Sequence, residues 1–101
     1  MKLIMVMGIE EHRERLRKLF RDYKVPVHSE TPIQGYKHQD AYDEAGNWFA
    51  VHHPAIDSQL FFTFVEDSKA DELMNGIRTF CADEQLPNPI RAFQMNVEQH
   101  N

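Results

Sequence analysis

The sequence predicts an α+β fold: a four-stranded antiparallel sheet with two helices on one face, in the order βαββαβ. Three observations predict it. Residues 3–7 and 59–65 are short runs with apolar residues on both parities, as in strands covered on both faces. Each run is followed by a stretch with apolar residues at helical spacing. Each helical stretch leads into a segment that alternates, as a half-covered strand does.

Leu3, Ile4, Met5, Val6 and Met7 form the first strand, closed by Gly8. Ile9, His12, Leu16, Leu19, Phe20 and Tyr23 then follow a helical spacing. Glu10 and Glu11 fall in its first turn and Arg21 and Lys24 late in it, which suits the helix dipole, and Pro26 ends it. Between Val25 and Gly35, Val25, Val27 and Ile33 share one parity while His28, Glu30 and Gln34 share the other, so a half-buried strand is expected there. Pro26 and Pro32 place it at a sheet edge. Residues 36–58 are polar and irregular and read as a long loop. Residues 59–65 are the third strand. Asp67 and Ser68 are N-cap types ahead of a stripe of Ala70, Leu73, Met74, Ile77, Phe80 and Cys81. Pro87 and Pro89 break the chain, and residues 90–97 alternate with Phe93, Met95 and Val97 on one face.

Two β-α-β units in 101 residues predict the split, ferredoxin-like arrangement, a two-layer sandwich forming one domain over residues 1–101. The two continuous apolar runs should be its central strands. Two helices cover one face only, yet Leu60, Phe62 and Phe64 lie on one parity and Phe61 and Val65 on the other. A large open apolar face is unusual on a monomer, so a homo-oligomer that buries it is expected.

Composition narrows the function. Eleven Lys and Arg against sixteen Asp and Glu give a net charge of −5, which argues against a general nucleic-acid partner. Cys81 is the single cysteine, so no internal disulfide can form and a reducing compartment fits. The apolar run near the start is too short for a membrane span or the core of a signal peptide, so a cytoplasmic protein is expected.

Four short motifs, in order along nearly the whole chain, resemble the PII (nitrogen-regulatory) signalling superfamily. These are the opening Met1-Lys2-Leu3-Ile4; Gly35-Tyr36 with Gln39, similar to the Gly-Phe-Gly-Arg-Gln at the base of the family's long T-loop; Ala70-Asp71-Glu72-Leu73 after the third strand; and Phe93 through Gln99, similar to the family's Phe-x-x-Asp-Val-Glu-Gln. The resemblance implies a homotrimer with its sheets facing inward. It implies a small effector, a nucleotide or a small anion such as bicarbonate, in the clefts between subunits. It also implies a loop that regulates a partner, such as a membrane transporter or an enzyme. Carried over by position, Gly35, Lys37, Gln39 and Arg91 would line the cleft. The family's glycine-rich phosphate loop is replaced here by residues 85–91, where Pro87 and Pro89 supply no N–H and no glycine is present.

Other constellations are weaker. Tyr42, Trp48 and Phe49 in the long loop are the residue types of a partner-binding surface. His38, His52 and His53 are candidate metal ligands, with Asp40 or Asp57 as helpers, and they carry the alternative reading of a metal-binding protein linked to divalent-cation efflux or tolerance. Adjacent strand histidines point to opposite faces, so the pair alone is a poor chelate. Arg13, Arg15, Arg17, Lys18 and Arg21, interleaved with Glu10, Glu11, Glu14 and Asp22, read as a solvated helix face laced with ion pairs, Glu14 to Lys18 among them. No nucleophile, paired-carboxylate or phosphate-loop motif stands out, so the chain does not read as an enzyme, and its residues name no cofactor.

Overall fold

The computed structural model describes residues 1–36, 55–85 and 90–101. Strand β1 (Lys2–Ile9) runs into a 3-10 turn (Glu10–His12) and helix α1 (Arg13–Asp22). Strands β2 (Ser29–Tyr36) and β3 (Ala55–Val65), helix α2 (Asp67–Glu84) and strand β4 (Arg91–Asn96) follow. The sheet order is β2-β3-β1-β4, and every neighbouring pair is antiparallel. The two continuous apolar runs are the central strands, as expected, and the proline-bearing strand is an edge.

One face of the sheet is the core. Ile4 and Val6 of β1 and Phe61 and Val65 of β3 are buried under Leu16, Leu19 and Phe20 of α1 and Ala70, Leu73 and Ile77 of α2. Helix α1 ends in a paired reverse turn: Lys24 N–H donates to the Arg21 carbonyl and Val25 N–H to the Phe20 carbonyl, each at 3.0 Å. This is the Schellman pattern, with Lys24 in the left-handed region at φ 56° and Val25 packed against the core. Pro26 therefore follows a helix that has already closed.

The other face is uncovered by helices. Its register forms three rows: Phe64, Leu3 and Met95; Phe62, Met5 and Phe93; Leu60, Met7 and Arg91. Eight of these nine side chains are apolar. Phe64 is 53% exposed and Phe93 50%.

Four details differ from the sequence reading. Val27 is 74% exposed, while the parity of His28 and Glu30 faces the helices. His28 stacks on Phe61 with ring centroids 5.4 Å apart and meets the edge of Phe20 at 5.1 Å. Edge strand β2 lies at the rim of the helix layer, so polar groups that reach α1 serve there better than aliphatic ones. Second, α2 starts one residue early: Glu66 is its N-cap and makes no side-chain cap bond, while Asp67 pairs with the Met1 ammonium at 3.1 Å. Third, β3 begins at Ala55 because Ala55 pairs with Tyr36, so the strands take five residues, 36 and 55–58, from the expected 36–58 loop. Fourth, Lys18 pairs with Asp22 at 2.6 Å, and Glu14 pairs with Arg17 at 2.7 Å instead of with Lys18.

Candidate functional site

Gly35 and Arg91 are the two candidate effector residues within the described chain. Gly35 sits near the end of β2 opposite Ile56, and Arg91 opens β4 opposite Met7. The antiparallel order brings both to the same end of the sheet. They occupy its two opposite edges, three strand spacings apart, or roughly 14 Å. One copy of the chain therefore does not gather them. Arg91 is exposed and stands on the open apolar face. Lys37, Gln39, the aromatic set Tyr42, Trp48 and Phe49, and the histidines His38, His52 and His53 lie outside the described residues, as do Pro87 and Pro89. Among the described residues, no group of three or more His, Cys, Asp or Glu side chains is close enough to hold a metal ion.

The described ionisable groups concentrate where α1 meets β2 and β3. Arg17 reaches across to Glu30, its Nε donating to both carboxylate oxygens at 3.1 and 3.0 Å and its second amino nitrogen to Oε1 at 2.5 Å. His28 Nε2 lies 3.0 Å from Glu30 Oε2, and Gln59 Nε2 donates to Oε1 at 3.3 Å. The Arg17 hydrogen bonds hold the Glu30 carboxyl at a pKa of about 2; desolvation, the next largest effect, opposes them, and the His28 contact adds to them. The same pairing raises the Arg17 guanidinium further above its ordinary value. These groups satisfy one another, and the sequence signal for them is slight: Arg17 and Glu30 are 13 positions apart, and each looks like ordinary surface charge.

Beside this cluster runs a groove that the sequence did not announce. Its larger part, about 750 Å³, is lined by Glu10 and Arg13 from the helix layer and by Pro32, Gln34, Tyr36, Asp57 and Gln59 from the ends of β2 and β3. It continues into a second hollow of about 650 Å³ that shares Glu10, Arg13 and Asp57 and is walled by Ile9 and Ile56. The register explains the convergence: Gln34 pairs with Asp57 and Pro32 with Gln59, so all four share the helix-side parity just beyond the start of α1. Tyr36 donates to Gln34 Oε1 at 2.9 Å and stands at the rim.

No family model matches the chain, and no curated protein matches it by sequence. Solved structures do match in three dimensions. A PII-like signalling protein of Thermus thermophilus superposes with a TM-score of 0.62 at 16% identity, over 95% of this chain and 85% of that one. CPII, a nitrogen-regulatory PII-like protein of Thiomonas intermedia solved with ADP, AMP and bicarbonate, also gives 0.62, at 13% identity, over 99% of this chain and 94% of that one. The likeness shows that this chain has the PII-like, ferredoxin-like fold.

Proposed function

We propose that this protein is a PII-like signalling protein and not an enzyme. It works as a homotrimer whose open sheet faces turn inward. A small effector, a nucleotide or a small anion such as bicarbonate, binds where copies adjoin. Gly35, Lys37 and Gln39 of one copy and Arg91 of the next contact it. Effector binding orders the loop that follows β2, and that loop, through Tyr42, Trp48 and Phe49, engages a partner such as a membrane transporter or an enzyme. Mechanically this is an order–disorder switch.

One observation carries the reading. Gly35 and Arg91 stand at the same end of the sheet but on its opposite edge strands. A closed ring of identical subunits places one edge of each copy beside the other edge of its neighbour. The uncharged rows of the open face, with Arg91 at their corner, suit burial against like copies. The bound ADP, AMP and bicarbonate of the Thiomonas protein support the ligand class.

The test is calorimetric titration of the full chain with ADP, AMP and bicarbonate, beside mass measurement in solution. A trimer that binds at least one of the three, with Arg91→Ala weakening it by about tenfold or more, is the expected result. A monomer, or a trimer indifferent to all three, overturns the reading.

A further inference from the structure

The groove at the start of α1 has an arginine at its centre whose donors are unspent. Arg13 Nε is buried and, among the described residues, donates to no group, while the side chain as a whole is 38% exposed. Its amino nitrogen lies 3.8 Å from Glu10 and its Nε 3.9 Å from Glu14, distances that allow attraction but are too long for hydrogen bonds. Glu14 is already engaged by Arg17 at 2.7 Å. The other ion-paired arginines of the helix are closer to their carboxylates, Arg15 to Glu84 at 3.5 Å and Arg17 to Glu30 at 2.5 Å. A buried donor without a partner costs stability unless something fills the place.

The carboxylates on the same walls are equally unspent. Among the described residues, neither the Glu10 nor the Asp57 carboxylate accepts a hydrogen bond, although both line both halves of the groove with Arg13. An anion alone would satisfy Arg13 but face Glu10 and Asp57, with Glu11 and Glu14 on the second hollow. A cation alone would satisfy the carboxylates and leave the arginine donor empty. A ligand that meets both needs carries an acceptor of negative charge and a donor of positive charge a few bonds apart. Pro32 adds an apolar surface on the helix-side parity, Ile9, Ile33 and Ile56 of the opposite parity edge the groove at the end of the sheet, and the Tyr36 ring, 59% exposed, stands at the rim.

We infer that this groove binds a free α-amino acid with an apolar side chain. Its carboxylate sits on Arg13, its ammonium lies between Glu10 and Asp57, and its side chain lies toward Pro32 and Tyr36. Gln34 and Gln59, on the same wall, supply further polar edges. All of these residues belong to one copy of the chain, at the end of the sheet where β2 and β3 meet the start of α1. Through Gln34 and Tyr36 the groove adjoins Gly35, but unlike the effector cleft proposed above it does not need adjoining copies.

The experiment titrates the full chain with L-phenylalanine and L-leucine, and in separate arms with 2-phenylethylamine and 3-phenylpropionate, which each keep one of the two charges. Chemical shifts of the Tyr36 and Arg13 amides report the location. The amino acids are expected to bind and the one-charge analogues to bind about tenfold more weakly or worse, the equivalent of one lost charge-assisted contact. Arg13→Gln and Asp57→Asn should each weaken amino-acid binding by a similar factor. Tyr36→Ala, at an exposed position that does not threaten the fold, should weaken it less. Binding should persist in a Phe64→Glu variant, where a cleft between copies would be lost. No shift at Tyr36 with millimolar amino acid, equal binding of either one-charge analogue, or indifference to both Arg13→Gln and Asp57→Asn would overturn the inference.

Discussion

The Tyr23 ring fills the space where Gly76 lacks a side chain. A β-carbon added at Gly76 would stand 2.4 Å from Tyr23 Cζ and 2.7 Å from its hydroxyl oxygen. The glycine is buried in the middle of α2, where its backbone freedom is a cost, and it is there because the tyrosine at the end of α1 needs the space. Gly76→Ala should therefore lower stability by about 1–3 kcal/mol, despite the better helix propensity of alanine. Chemical denaturation checks this. Pairing the change with Tyr23→Ala should recover part of the loss relative to the sum of the single variants, because the clash is then absent.

Lys24 should be improvable. It holds φ 56° at the turn that closes α1, and its side chain makes no described hydrogen bond. Lys24→Gly keeps both backbone bonds of the turn and removes the steric cost of a β-carbon there. A gain of about 0.5–1 kcal/mol is expected, read as a higher denaturation midpoint with an unchanged slope.

Glu30 should make stability depend on acid. Its folded pKa of about 2 lies below the ordinary 4.5, so its ionised form favours the folded state. The contribution is complete above the unfolded value and fades as pH falls from about 4.5 toward 2. Glu30→Gln should cost about 1–2 kcal/mol near neutrality, since the Arg17 side of the pair is open to water. The gap between variant and parent should close across that acid window in denaturation curves taken at several pH values.

Phe64→Glu should separate copies without unfolding them. Phe64 is 53% exposed on the open face, next to Leu3 in the register, so a single copy accommodates the charge at its surface. Within a trimer, the same carboxylate would be buried without a partner. A monomer with unchanged far-ultraviolet circular dichroism is the expected product. A Phe64→Glu trimer would mean that this face is not where copies meet.

The sequence was most legible where apolar residues repeat. The order of strands and helices, the central place of the two apolar runs and the edge position of the strand with Pro32 were all readable, because each rests on local pattern. Long-range pairing was not readable. The inward parity of β2 depends on Arg17 reaching Glu30 and on His28 meeting Phe20 and Phe61, and alternation alone favoured Val27. The N-cap of α2 was misplaced because Asp67 has a partner at the other end of the fold. Of the candidate site, Gly35 and Arg91 were found through resemblance, and their opposite edges became visible only with the strand order. The groove at Arg13 had no sequence signal: Glu10 and Arg13 look like helix-surface charges, and Gln34 and Asp57, which pair with each other, come from strands distant in sequence.

The place of β1 also sets the order of events during synthesis. This strand is made early, yet it lies between β3 and β4, with Lys2 bonded to Asn96 at a separation of 94 positions. Residues that must meet across so long a stretch of chain do so late and slowly. A ribosome would thus have to release the chain through β4 before β1 could gain its second neighbour. Until then its aliphatic and methionine side chains would be open to any chaperone that recognises extended apolar segments.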